Sequence, residues 1–138
     1  MDELVRELFL SVGMEEAWRA LTDPAEMERW FGDHVQVDLR PGGRLAVGWD
    51  DTGSFSGVVE VVEAPRRLVY RWCIAWDQPV DVGPTTRVEM SLTPTAGGVV
   101  LRVCESGFAA LPPRLLDGNR GGWEQELGHL ATLLTTPR

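Results

Sequence analysis

Hydrophobic and polar positions along the chain change period several times, and each change marks an element. Leu4 to Leu10 is apolar-rich and predicts a strand. From Met14 the spacing lengthens. Met14, Trp18 and Leu21 stand at i, i+4 and i+7 with Ala17 beside them, while Glu15, Glu16 and Arg19 fall elsewhere, which predicts an amphipathic helix. Asp23 can cap a second short helix, Pro24 suits its first position, and Met27, Trp30 and Phe31 share its apolar face before Gly32 ends it. After Gly32 the period becomes two. Val35, Val37 and Leu39 alternate with polar residues, and so do Leu45, Val47 and Trp49 beyond the turn Arg40-Pro41-Gly42-Gly43.

A turn at Asp50–Gly53 leads to a strand from Phe55 to Glu63, with Glu60 facing out and Val59 and Val61 in. Beyond Ala64-Pro65-Arg66, the residues Leu68, Tyr70, Trp72, Ile74 and Trp76 fall on one side of the next strand, with Arg71 and Cys73 on the other. Asp77 to Pro84 reads as a loop. Thr86, Val88, Met90 and Leu92 form the next alternating run, and after a hairpin turn Val99, Leu101, Val103 and Glu105 share one face. Glu105 breaks the apolar rule of that face. Ser106 to Gly118 reads as irregular around Pro112-Pro113, with Asn119 as the cap of a long final helix. Its stripe is Trp123, Leu127, Leu130, Ala131 and Leu134. Gly121, Gly122 and Gly128 weaken that helix by ~1 kcal/mol each relative to Ala, and the expected compensation is a close approach to the sheet or to a ligand. His129 falls off the stripe and is expected exposed.

The order is one strand, two short helices, six strands and one long helix. Short hairpin turns imply an antiparallel sheet, and helices at the ends of such a run give an α+β domain. A strongly curved sheet around the long helix buries both apolar faces. The length of 138 residues fits a single domain, 1–138, able to bury one core.

Composition narrows the chemistry. All thirteen basic residues are Arg, which removes Schiff-base lysines, a phosphate-loop lysine and a Ser-Lys dyad. The net charge of −8 argues against nucleic acid. Residues 1–69 carry seven Arg and fourteen acids, against six Arg and seven acids in 70–138. Cys73 and Cys104 have no metal-ligand spacing and read as reduced thiols. The start, Met1 to Arg6, is acidic without an apolar signal core, and no apolar run approaches the ~18 residues of a membrane span. A cytoplasmic location is expected. No HExxH, G-x-S-x-G or G-x-G-x-x-G pattern is present, so no metal, no cofactor and no catalytic residue is assigned.

Several segments together carry a resemblance. They are Ala17-Trp18-Arg19-Ala20-Leu21-Thr22-Asp23-Pro24, Glu28-Arg29-Trp30-Phe31-Gly32, Asp38-Leu39-Arg40-Pro41-Gly42-Gly43-Arg44, Val61 to Trp72 around Ala64-Pro65-Arg66-Arg67, Ser106-Gly107-Phe108 and Gly121-Gly122-Trp123. In this order they resemble the activator-of-heat-shock-ATPase homologue-like family of the START-like, or SRPBCC, superfamily, over nearly the whole chain. The resemblance implies the helix-grip fold: a seven-stranded antiparallel curved sheet gripping a long C-terminal helix, two short helices between strands 1 and 2, and a cavity between sheet and helix. Lipid carriers, polyketide cyclases and hormone receptors share that fold, so it does not fix a function. In the eukaryotic namesake chaperone activation depends largely on a separate N-terminal domain, for which this chain is expected to have no room.

Six Trp against one Tyr become informative here. A closed core favours Leu, Ile and Val, whereas buried Trp needs a partner for its N–H and ligand pockets are aromatic-lined. Trp18 reads as helix packing. The inward faces predict a ligand-binding set of Trp30, Phe31, Trp49, Val59, Tyr70, Trp72, Trp76, Met90, Val103, Glu105, Trp123 and Leu127. Glu105 is the polar member, satisfied by a nearby Arg or Trp N–H or by water, or else a ligand-orienting group. The expected function is binding of a hydrophobic or aromatic small molecule, with no chemistry of its own. Two alternatives stand beside it. One is a cyclase- or hydrolase-like enzyme using Glu105 and Tyr70. The other is a chaperone or stress-related module using the acidic N-terminal half. An edge strand could also support a homodimer.

Overall fold

A computed structural model describes residues 3–135. Met1 and Asp2 of the acidic start, and residues 136–138 of the expected domain, lie outside the described residues. The chain runs β1 (Glu3–Leu10), α1 (Met14–Thr22), α2 (Pro24–Met27), β2 (His34–Val37), β3 (Arg44–Trp49), β4 (Gly53–Glu63), β5 (Arg67–Cys73), β6 (Thr85–Thr95), β7 (Gly98–Ser106) and α3 (Pro113–Thr135). All seven strands form one antiparallel sheet in the order β1-β7-β6-β5-β4-β3-β2. Only the β1–β7 pairing is not a hairpin or near-hairpin, and it leaves β1 and β2 at the edges. The α1–α2 excursion joins those edges, and α3 packs on the same face, near β1. Arg6 on β1 reaches Glu124 on α3 at 2.9 Å.

Local chemistry explains the excursion. Asp23 accepts from the Ala25 N–H at 3.1 Å and Pro24 opens α2, so the cap is as the sequence predicts. The helix ends earlier than the apolar face suggests, and Trp30 and Phe31 sit in the turn after it. Gly32 then adopts φ +80°, and a Cβ there would lie 2.6 Å from Val47 Cγ1. Both the backbone conformation and the close approach require glycine.

Four further features depart from the sequence reading. β4 carries a bulge between Val59 and Val61. Val59 pairs with Tyr70 and faces the core, whereas Val61 pairs with Val69 on the opposite face, because one extra residue inverts the parity. β5 ends at Cys73, so Trp76 belongs to a loop and is 47% exposed. That loop folds over the other face of the sheet, burying Val80 and Cys73. α3 begins at Pro113, six residues before the expected cap, since proline lacks only an N–H that the first turn leaves unbonded anyway. Finally, the helical glycines make no close approach to the sheet. A Cβ at Gly118, Gly121, Gly122 or Gly128 would meet nothing within 4 Å.

Candidate functional site

The concave face of the sheet and the underside of α3 meet around one carboxylate. Glu105 faces inward from β7, as its parity predicts, and is 0% exposed. Trp72 and Thr86 are direct partners across β5 and β6, and both reach it. The Trp72 indole N–H donates to Oε2 at 2.9 Å, and the Thr86 hydroxyl donates to the same oxygen at 2.5 Å. Two residues one turn apart on α3 close the other side. Trp123 donates from Nε1 to Oε1 at 2.9 Å, and the Asn119 amide lies 2.9 and 2.8 Å from the two oxygens. A carboxylate offers about four lone-pair sites, and here every one has a donor. No arginine is among the partners. Neutral dipoles alone compensate the buried charge.

Tyr70 lies beside this cluster, its ring 5.2 Å from that of Trp72. Its hydroxyl is buried and has no hydrogen-bond partner among the described residues. Burial, and then the charge of Glu105, push the phenol well above its ordinary value of 10.0.

A cleft of about 680 Å³ opens above this floor, at the β3–β5 end of the sheet. Phe31, Trp49, Phe55, Trp72, Trp76 and Trp123 line it. Their rings form a continuous set. Phe31 stacks on Trp123 at 5.5 Å, Phe55 meets Trp72 edge-on at 5.1 Å, and Trp76 stacks on Phe55 at 4.4 Å across the mouth. The helix side presents backbone at Gly118 and Gly122, and polar groups at Arg114, Asn119, Gln125 and Glu126.

Of the twelve residues predicted to bind, five line this cleft: Phe31, Trp49, Trp72, Trp76 and Trp123. Trp30, Val59, Tyr70, Met90, Val103 and Leu127 pack into the buried core instead, and Glu105 sits beneath the floor without lining the space. The Trp30 N–H is satisfied by the Ala20 carbonyl at 2.7 Å. Sequence reasoning missed Phe55, Asn119 and Glu126. The signal for the last two was present, because extending the Trp123 stripe by one turn backward gives position 119, and three residues forward gives 126. Glu126 is only 6% exposed. Its Oε1 accepts from the Trp49 indole N–H at 3.1 Å, and its Oε2 lies 3.4 Å from His129 Nδ1.

Among the described residues no group of three or more His, Cys, Asp or Glu could hold a metal ion. No helix of the described residues is long and apolar enough to cross a membrane. The sequence pattern described as Activator of Hsp90 ATPase homolog 1-like protein matches residues 11–135. The chain belongs to this family. No curated protein matches significantly. Solved structures do. Protein MLL2253 from Mesorhizobium loti is 32% identical with a TM-score of 0.85, over 98% of this chain and 99% of that one. DynU16, a protein in the dynemicin biosynthetic locus, is 29% identical with a TM-score of 0.83, and the match covers 98% of this chain. The chain spans about half of that protein, 48% of its length. The Aha1 dimer from Colwellia psychrerythraea, at 14% identity and a TM-score of 0.82 over 97% of this chain and 96% of that one, shares the fold. The family member described here is thus a helix-grip, START-like domain.

Proposed function

We propose that this domain binds a hydrophobic or aromatic small molecule in the cleft between the curved sheet and α3, with no chemistry of its own. The observation that carries the reading is the cleft itself. Its volume of about 680 Å³ falls within the ~300–1,000 Å³ usual for small-molecule sites, and six aromatic rings line it. Likeness to a protein of the dynemicin biosynthetic locus supports a ligand drawn from small-molecule biosynthesis. The saturated Glu105 speaks against the enzymatic alternative. Each of its lone pairs already accepts a hydrogen bond, so it has none left to take a proton from a substrate.

Titration of the intrinsic Trp fluorescence with naphthalene, anthracene and a C16 fatty acid, paired with native mass spectrometry, tests this. Saturable quenching at one equivalent, weakened by Phe55→Ala, is the expected outcome. Quenching that never saturates with any of the three would refute it.

A further inference from the structure

Only one charged side chain that lines the cleft is more than nine-tenths buried among the described residues, and it is Glu126 rather than Glu105. Its position follows from the helix. Gly118, Gly122 and Glu126 are spaced at i, i+4 and i+8, so they fall on one stripe of α3, and all three line the cleft. Two glycines leave a slot along the helix, where a Cβ would meet nothing within 4 Å. The carboxylate stands about 6 Å further along the axis than Gly122. Two partners occupy it, the Trp49 N–H and the largely exposed His129 ring. With about four lone-pair sites on a carboxylate, acceptor capacity remains beyond these two contacts on a side chain that lines the cleft.

We infer that Glu126 is the recognition group of the cleft and selects flat aromatic ligands that carry a hydrogen-bond donor, such as a phenolic hydroxyl, over those that carry a carboxylate. The inference rests on the cleft being a small-molecule site. A donor on the ring edge meets an acceptor that water reaches poorly, where a hydrogen bond to a charged group is strong. A carboxylate in the same place meets a like charge in the same poorly solvated setting. Arg114 is the cation of the lining, but it is exposed and lies about 18 Å away along the helix axis. Its backbone stands at the opposite end of the helix stripe from Glu126. Gln125 and Thr52 are neutral and can serve either ligand, and Asp51 adds to the acidic side.

Naphthalene, 2-naphthol and 2-naphthoate form a matched set of probes. Their dissociation constants come from calorimetric titration of the whole chain, with the Trp49 indole N–H proton resonance reporting the site. 2-Naphthol is expected to bind about tenfold more tightly than 2-naphthoate, a difference of ~1.4 kcal/mol, and several-fold more tightly than naphthalene, and to move the Trp49 resonance. In Glu126→Gln the amide oxygen can keep the Trp49 bond while the NH₂ replaces Oε2, and the charge is gone. The naphthol advantage over naphthalene then disappears and naphthoate improves. The ranking of the three probes on the unmodified protein needs no variant to fold. Naphthoate binding as tightly as naphthol overturns the inference and leaves the cleft a hydrophobic site. So does a naphthol advantage that survives in a folded Glu126→Gln protein. Failure of all three probes to bind overturns both this inference and the reading beneath it.

Discussion

The two buried glutamates of this domain are close in kind and opposite in use. Glu105 is 0% exposed and holds donors from two strands and from α3, with no lone pair left over. Glu126 is 6% exposed, holds one indole N–H and a histidine contact, and faces an open cleft. Burial alone therefore does not identify a functional carboxylate. What separates the two is how much hydrogen-bonding capacity the protein itself consumes. A saturated acid is a joint between elements, and an acid with capacity to spare beside an apolar space can address a ligand.

The same substitution at both positions gives the sharpest test. Glu105→Gln turns an amide NH₂ into a shell in which the Trp72 and Trp123 indoles can only donate, so Thr86 or Asn119 must reorient or a buried N–H stays unpaired at ~1–3 kcal/mol, and the change is expected to cost about 2 kcal/mol or more. Glu126→Gln still offers an oxygen to Trp49 and is expected to cost less than about 1 kcal/mol. Urea unfolding at neutral pH measures both, and equal losses would erase the distinction. Tyr70 probes the Glu105 side at smaller scale. Its unpartnered hydroxyl makes Tyr70→Phe stabilising by about 1 kcal/mol.

The pH dependence has a definite sign. The folded phenol is raised above its ordinary 10.0, so above that pH the unfolded chain loses its proton first and binds fewer protons than the folded one. Tyr70 thus contributes no pH dependence below about pH 10, and stability falls from there upward. Since Tyr70 is the one tyrosine of the chain, the loss between pH 8 and pH 11 should be larger in the parent than in Tyr70→Phe, which keeps only the share of the Cys104 thiol, itself raised from its ordinary value by burial and by Glu3. The smallest effects belong to the Glu126 side. Gly122→Ala and Gly128→Ala should each stabilise α3 by up to ~1 kcal/mol, as neither methyl meets a neighbour. Gly122 lines the cleft and Gly128 does not, so only Gly122→Ala should also weaken 2-naphthol binding. Equal binding by the two variants would place the ligand away from the helix.

Apolar richness marked β1, period-two alternation marked the later strands, and parity put Glu105 inside. Such signals are strong because a sheet with one buried face admits a single register. The bulge at Val59/Val61 left no mark, since valine suits both faces of a half-covered sheet. Trp76 continued the alternation of β5 beyond the point where the strand had ended, because an aromatic at a cleft mouth and one in a core look alike in sequence. Asn119 resembled a cap, and Glu126 lies off the apolar stripe and received no assignment. Their roles depend on what α3 faces, and for Asn119 the helical repeat could suggest it only with the helix start placed at Pro113.

The clasp around Glu105 bears on the cost of association. Trp72 and Thr86 on the sheet, and Asn119 and Trp123 on the helix, are held to one charge at bonding distance. The gap between sheet and helix is set there by directional bonds rather than by how far apolar surfaces can close on each other. The jaws of the cleft are therefore braced independently of any guest, and the binding proposed above then carries little cost for ordering the host.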